Sequence, residues 1–169
     1  MRTLLLKSMF ASPVTEAGPA PSEAGLAELA QRVDKAARDR LGRSLAIRHV
    51  DAGSCNGCEL EIHALDNPYY DLERFGFRFV ASPRHADVLL VTGPVTLNMR
   101  EALERTHDAT PEPKWVVAAG DCAATGGMFR ESYAVAGGVS SVIPVHLHIA
   151  GCPPSPRALL AGLLALMER

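Results

Sequence analysis

Two segments of the sequence are apolar on consecutive residues rather than on alternating ones. They are Val88-Leu-Leu-Val91 and Trp115-Val-Val-Ala118. A strand with water on one face alternates apolar and polar side chains, so an unbroken apolar run predicts a strand covered on both faces. Such cover is typical of the parallel sheets of α/β proteins. We therefore expect a mostly parallel sheet with helices on both faces.

From about residue 45 onward, short strand candidates alternate with loops and helices. The strands are expected at Ala46–Val50, Phe77–Ala81, Asp87–Thr92, Lys114–Ala119 and Pro144–Ile149. Helical periodicity is expected at Glu59–Leu65, at Val95–Thr106 and at the C-terminus. Ser155 as N-cap and Pro156 as the first helical residue form a start signal for the last helix. That helix is apolar on nearly all faces, so we expect a partner to cover it.

Cysteines follow three of these strand candidates. Cys55, Cys122 and Cys152 come three to five residues after the first, fourth and fifth strands, and Cys58 completes a Cys-x-x-Cys pair. Sites in open α/β sheets form beyond the carboxyl ends of the strands, so the four thiols are expected to converge. Glycines beside them let the backbone wrap closely around a bound group; they include Gly57, Gly126 and Gly127.

Four thiolates from three loops suit a cubane iron–sulfur cluster. Structural zinc is an alternative, but its ligands usually come in close pairs, whereas Cys122 and Cys152 are 30 positions apart. A thioredoxin-like dithiol at Cys55 and Cys58 would leave the other two cysteines unexplained. Four unrelated buried thiols are the remaining alternative, because buried cysteine is common.

Composition excludes several classes of function. A net charge of -2 and 5% aromatic residues give no basis for nucleic-acid binding. The longest apolar run, Ala158 to Met167, is about half of a membrane span. The apolar stretch Leu4–Leu6 stops at Lys7, well short of a secretory signal, so we expect a cytoplasmic protein. In a reducing compartment, cysteines indicate metal or redox chemistry more than disulfides.

The chain divides into an N-terminal arm, residues 1–44, and a domain over residues 45–169. Ala11–Gly25 is rich in Pro, Ala, Gly and Ser and is predicted to be a linker. An amphipathic helix follows, with Ser22 as a possible N-cap and apolar positions from Leu26 to Leu41. It is expected to pack on its own domain, with docking onto a partner as the alternative.

From about Ile47 to the C-terminus, the chain resembles the small iron–sulfur subunit shared by respiratory complex I and membrane-bound group 4 [NiFe] hydrogenases. The resemblance depends on several blocks in the same order: Gly53-Ser-Cys-Asn-Gly-Cys-Glu-Leu-Glu61, Asp71-Leu-Glu-Arg-Phe-Gly76, Ala81-Ser-Pro-Arg-His-Ala-Asp87, Glu112-Pro-Lys-Trp115, Cys122 with Gly126-Gly127, and Ile149-Ala-Gly-Cys-Pro-Pro154. The N-terminal 44 residues do not take part in it.

The resemblance implies a flavodoxin-like domain in which Cys55, Cys58, Cys122 and Cys152 hold one [4Fe-4S] cluster. It implies electron transfer between a ferredoxin-like iron–sulfur subunit and a catalytic large subunit, on the inner side of the cell membrane beside membrane subunits. Such a chain is not catalytic alone. Complex I members generally have two adjacent cysteines at the first ligand position, so the spacing of Cys55 and Cys58 favours the hydrogenase branch. A complex I-like quinone reductase subunit and a zinc-stabilised binding module are the alternatives.

The resemblance also suggests roles for polar residues near the cysteines. It implies that Arg84 lies near the cluster, whereas an ion pair with Asp87 is the simpler reading. It places Glu61 toward the large subunit, as a proton relay or an interface contact, although a solvated helix glutamate is nearly as plausible. Asp121 replaces the small neutral residue more usual in the family. Its carboxylate would lower a cluster's potential unless it is paired or turned outward.

Other polar residues are expected to be structural. Glu59 begins a helix and can complement the helix dipole. His146 and His148 alternate along a strand, and a half-exposed strand face explains them better than a metal site.

Overall fold

The computed structural model describes residues 23–168, so the part of the predicted linker up to residue 22 lies outside the described residues. Among those described, no helix is both long and apolar enough to cross a bilayer. The helices are α1 Glu23–Leu41, α2 Gly57–Ala64, α3 Leu97–Ala109, α4 Asp121–Thr125 and α5 Pro156–Met167. The strands are β1 Ala46–Asp51, β2 Arg78–Phe79, β3 Val88–Thr92, β4 Val95–Thr96, β5 Trp115–Ala119, β6 Val135–Gly137 and β7 Leu147–Ile149.

Five of these strands form one parallel sheet in the order β2-β1-β3-β5-β7. Counted within the sheet, this is the 2-1-3-4-5 order of flavodoxin-like folds. Every residue of the central strand β3 is buried, as its unbroken apolar run predicts. The predicted α/β class is confirmed.

The register of the sheet aligns the ends of four strands. Asp51 is paired with Thr92, Thr92 with Ala119, and Ala119 with Ile149. The loops that follow β1, β3, β5 and β7 therefore leave the sheet at one level. The segments that follow β1, β5 and β7 carry the four cysteines, with Cys58 and Cys122 at the starts of α2 and α4.

The core has one apolar layer on each face of the sheet. On one face, side chains from α1, α2 and α5 cover Ile47, Leu90 and Val117. On the other, α3, α4 and the turn at Val139–Ser141 cover Leu89 and Val116. This packing gives a layered α/β domain whose sheet is buried on both faces.

The last helix, α5, is covered by its own chain. The expectation that a partner covers this helix was therefore wrong. Leu159, Leu160 and Leu163 are buried, and Val33 and Ala37 of α1 belong to the same apolar cluster. The predicted N-cap is confirmed, because the Ser155 hydroxyl accepts a hydrogen bond from the N–H of Ala158. Helix α1 thus completes this face of the domain.

Local structure differs from the expectations in four places. Strand β7 has three residues, Leu147–Ile149, rather than the six expected at Pro144–Ile149. Strand β2 has two residues rather than five, and the chain then turns back toward the start of β3. Val95 and Thr96 form β4, which pairs antiparallel with β6, so α3 begins later than expected. A short helix, α4, begins directly after β5.

Candidate metal centre

The four cysteines line one cavity beyond the carboxyl ends of the strands. The cavity has a volume of about 110 Å³, and all four are free thiols. The remaining lining comes from the same loops and from the residue after β3; it consists of Ser54, Gly57, Gly93, Asp121, Gly151 and Pro153. The predicted convergence of thiols from three loops is therefore present in the folded chain.

The first loop is held by side chains that bond to its backbone. The carboxylate of Asp51 accepts hydrogen bonds from the N–H groups of Gly53 and Ser54, each at 2.8 Å. The Ser54 hydroxyl accepts the N–H of Asn56 at 3.0 Å and donates to the carboxylate of Glu59. The two residues that flank Cys55 are thereby tied to each other. The chain's own hydrogen bonds therefore define the shape of this loop.

The loops of Cys122 and Cys152 are bonded directly to each other. Gly120 N–H donates to Ile149 O at 2.8 Å, and Asp121 N–H donates to Gly151 O at 2.9 Å. Asp121 Oδ1 accepts the N–H of Gly151 at 2.9 Å, and the residue is exposed. These bonds extend the pairing of β5 and β7 past the strand ends. The carboxylate of Asp121 is thus both paired and solvated.

Two glycines leave room for the thiols. A Cβ added at Gly120 would lie 2.7 Å from Cys58 Sγ, and one at Gly127 would lie 2.7 Å from Cys122 Sγ. Both have positive φ angles, of 93° and 53°. A side chain at either position would be strained and would push on a cysteine sulfur. The neighbouring loops therefore form a cradle around the sulfur atoms.

The two other glycines singled out by sequence differ in their surroundings. Gly57 lines the cavity, and a Cβ there would make an ordinary contact of 3.6 Å with Cys55 Sγ. Gly126 ends α4 with a φ angle of 88° and faces Arg130 rather than a cysteine. Gly57 and Gly127 thus adjoin the thiols, while Gly126 shapes the turn between them.

The protein environment disfavours the thiolate forms of Cys58 and Cys122. Burial, followed by the charge of Glu59, raises the pKa of the Cys58 thiol to about 11. Burial also raises the pKa of Cys122, followed by the neighbouring Cys152. Since thiolates are the metal-binding form, metal binding here must displace protons and strengthens as pH rises.

Within residues 23–168, no group of three or more His, Cys, Asp and Glu side chains is arranged to hold one metal ion. The donor set nevertheless fits a larger group. About 10–15 Å³ is enough to hold one water, so a cavity of about 110 Å³ has room for several heavy atoms. Four sulfur donors are the ligand set of iron–sulfur clusters.

Arg84 does not line this cavity. It lies in the turn Pro83–His85, which leads to the amino end of β3 and packs against α3. Strand β3 spans about 13 Å, and the cysteines lie beyond its opposite end. The alternative expectation, an ion pair between Arg84 and Asp87, is also wrong, because Asp87 pairs with Arg43 and accepts the N–H of Ala46.

The other polar candidates lie outside the cavity. Glu61 is partly exposed on α2. His146 precedes β7, and its Nδ1 accepts the N–H of Val116 at 3.0 Å, while His148 is exposed on that strand. His146 therefore bonds to the neighbouring strand β5, whereas His148 is exposed on β7, so the two rings do not share the strand face that was expected.

Sequence reasoning did not single out Ser54 or Gly120, and for Glu59 it gave only a contribution to the helix dipole, whereas the side chain is 5% exposed and bonded to Ser54. One signal was available for Gly120, because it stands between the end of a strand and a candidate ligand, as Gly151 does. For Glu59 the sequence offered no such signal, since the start of a helix favours a glutamate whether or not it is buried.

The fold and the cavity together define the class: an α/β protein with a parallel sheet and a four-cysteine site at the carboxyl ends of its strands. The family model for the NADH ubiquinone oxidoreductase 20 kDa subunit matches residues 55–166. The chain belongs to this family.

The chain is similar to three proteins that belong to membrane-bound or formate hydrogenlyase complexes. The chain is 47% identical over 129 residues to a probable membrane-bound hydrogenase subunit, mbhJ, of Pyrococcus furiosus, covering 76% of this chain and 77% of that protein. It is 46% identical over 133 residues to formate hydrogenlyase subunit 7 of Escherichia coli, covering 77% of this chain and 52% of that longer protein. A solved chain of the membrane-bound sulfane sulfur reductase, an archaeal respiratory membrane complex, superposes with a TM-score of 0.67 at 36% identity. That match covers 82% of this chain and 74% of the other.

Proposed function

We propose that Cys55, Cys58, Cys122 and Cys152 hold one [4Fe-4S] cluster. The observation that carries the proposal is the convergence of four thiols on one cavity with room for several heavy atoms. Gly120 and Gly127 support it, because their missing side chains leave space beside two of the sulfurs. When bound, such a cluster supplies one-electron chemistry. The chain's own contribution is to hold four sulfurs at one place, with Cys58 and Cys122 partly buried and Cys55 and Cys152 exposed.

We propose further that the chain is the electron-transfer subunit of a membrane-associated, [NiFe]-hydrogenase-like complex. The Cys-Asn-Gly-Cys spacing and the high identity to two hydrogenase-type subunits favour this branch. A complex I-like quinone reductase subunit is the second candidate, favoured by the family model itself. The nickel content of the purified complex separates them. Nickel in proportion to this chain supports the first, and quinone reduction without nickel supports the second.

The surface around the cysteines fits a large partner. Several large apolar side chains are exposed in the segments that follow Cys58 and Cys122 and at the start of α3; they are Leu60, Leu97, Met128, Phe129 and Tyr133. Single exposed apolar residues are common on protein surfaces, whereas a group of them marks an interaction surface. Met128 and Phe129 follow Cys122 by a few residues, and the N–H of Leu97 bonds to Ala134 O beside Tyr133. We assign this edge to the catalytic large subunit, with a ferredoxin-like subunit and membrane subunits as the further partners. The chain then lies peripherally on the cytoplasmic face of the membrane.

Metal analysis of the complex purified without oxygen tests the cluster. We expect about four iron and four acid-labile sulfide per chain. Cys122→Ala and Cys152→Ala should each lower both, because cluster assembly needs every thiolate. Arg157→Ala is the matched control: this exposed residue follows Cys152 closely in the chain and lies outside the cavity lining. Full iron in both cysteine variants, or zinc in place of iron in the native complex, would refute the assignment. Zinc would favour the binding-module alternative.

A further inference from the structure

Glu59 places a buried carboxylate next to Cys58 and in contact with Ser54, which lines the thiol cavity, although Glu59 does not itself line it. It follows Cys58 in the chain and is 5% exposed. Its Oε2 accepts a hydrogen bond from the Ser54 hydroxyl, while its Oε1 is buried and has no hydrogen-bond partner. A buried carboxylate oxygen without a hydrogen-bond partner lowers the stability of the fold, so the presence of Glu59 at this position needs an explanation.

Part of the explanation is mechanical. The Ser54 hydroxyl that donates to Glu59 also accepts the N–H of Asn56. Ser54 and Asn56 stand on either side of Cys55. Glu59 therefore anchors the first cysteine loop against the start of α2. Only Oε2 takes part in this anchor, so the anchor does not account for Oε1.

The rest of the explanation is electrostatic. Within the described chain, no lysine or arginine pairs with Glu59, and its basic neighbour is His49, whose Nε2 lies 3.6 Å from Oε1. Burial lowers the pKa of His49, which keeps its ring neutral near pH 7, and Nε2 is hydrogen-bonded to Thr92 Oγ1 at 2.9 Å. No cation in the described residues therefore cancels the carboxylate. Its influence reaches the sulfur, because Glu59 is a cause of the raised pKa of Cys58 second only to burial.

We propose that Glu59 is a positioning residue with a second effect: it anchors the Cys55–Cys58 loop, and its uncompensated charge lowers the reduction potential of the group that the four cysteines bind. This inference rests on the proposed cluster. Reduction adds a negative charge to such a group, and a nearby buried carboxylate opposes that addition. The charge acts strongly because little water screens it.

The chain provides a matched control in Asp121. This carboxylate also adjoins a cysteine, Cys122, and also holds a loop, through the N–H of Gly151. It differs in being exposed to solvent, which screens its charge. Both Glu59→Gln and Asp121→Asn keep an oxygen acceptor for the loop and remove one charge. The two carboxylates differ in burial and in position, because the exposed Asp121 lines the cavity whereas the buried Glu59 does not. A larger shift for Glu59→Gln than for Asp121→Asn would therefore have to come from burial and not from closeness to the cavity.

A redox titration of the purified complex, followed by electron paramagnetic resonance, tests the proposal. We expect Glu59→Gln to keep its iron and to raise the ratio of reduced to oxidised cluster about tenfold at a fixed potential, a shift of about 59 mV for a one-electron couple. Asp121→Asn should shift the potential in the same direction by less than half as much. An unchanged or lowered potential in Glu59→Gln, or an equal shift in Asp121→Asn, would overturn the proposal.

Two further measurements separate the possible failures. Iron and sulfide are measured in the unmodified complex first, and their absence there would refute the proposed function rather than the role of Glu59. If Glu59→Gln does not retain iron, His49→Lys tests the same charge from its other side. It brings a permanent cation toward Oε1 and should raise the potential, and an unchanged potential would refute the electrostatic role.

Discussion

Gly127→Ala tests whether the glycine cradle is needed to hold the sulfurs in place. The new Cβ would lie 2.7 Å from Cys122 Sγ and 3.1 Å from Cys122 Cα. An ordinary contact begins at 3.4 Å, so the sulfur or its backbone must move by the difference of 0.7 Å. Metal–ligand distances tolerate about 0.2 Å. The substitution should therefore impair metal binding as well as folding.

Gly42→Ala is the control for backbone strain. Gly42 also has a positive φ angle, of 68°, but a Cβ there would meet nothing within 4 Å. Both substitutions force alanine into the left-handed region, at a cost of about 1–2 kcal/mol. Gly127→Ala adds a contact that is too close, and overpacking of this kind costs about 1–3 kcal/mol more.

Iron and sulfide per chain in the purified complex, with thermal unfolding of the same samples, measure the two effects. We expect Gly42→Ala to lower the unfolding temperature slightly and to keep its full iron content. Gly127→Ala should lower the unfolding temperature further and lose most of its iron. If Gly127→Ala keeps the iron content of Gly42→Ala, the steric account of the cradle is wrong.

The remaining predictions concern stability. Val33→Asp should destabilise the chain by several kcal/mol, because it buries a charge against α5. The control Gln31→Asp, at an exposed position of α1, should change the stability little. Equal unfolding temperatures for the two variants would contradict the packing of α1 against α5. Burial lowers the pKa of His49 below 6.5, so the unfolded chain binds a proton that the folded chain does not, and stability should fall as pH drops below about 6.5. The fall should be smaller in His49→Gln, and parallel urea-midpoint profiles for the two proteins would contradict this assignment.

The parts of the fold that could be predicted are those with a strong local pattern. The apolar runs in β3 and β5 indicate two-sided burial, and a parallel sheet then brings its carboxyl ends together. The convergence of the cysteines follows from that geometry. Strands β4 and β6 have two and three residues, too few for a period to be recognised.

The errors arose where position depends on the tertiary structure. Arg84 was placed near the cysteines by resemblance, but β2 stops after two residues and the chain returns to the amino edge of the sheet. The cover of α5 was missed because α1 lies more than a hundred residues earlier in the sequence. The burial of Glu59 depends on Ser54 and His49 approaching it in the folded chain.

The packing of α1 against α5 has a consequence for exchanging parts between relatives. The span matched by the family model begins at residue 55, yet Val33 and Ala37 of α1 lie fully buried in the cluster that contains Leu160. A chimera that transplanted only the matched span would carry α5 with one apolar side facing the host scaffold. The host would need to supply a helix of the same shape and the inner strand β1, which also precedes residue 55, or the graft would need to start at α1. The exchangeable module is therefore longer than the span of the family model, because it includes α1 as well as β1.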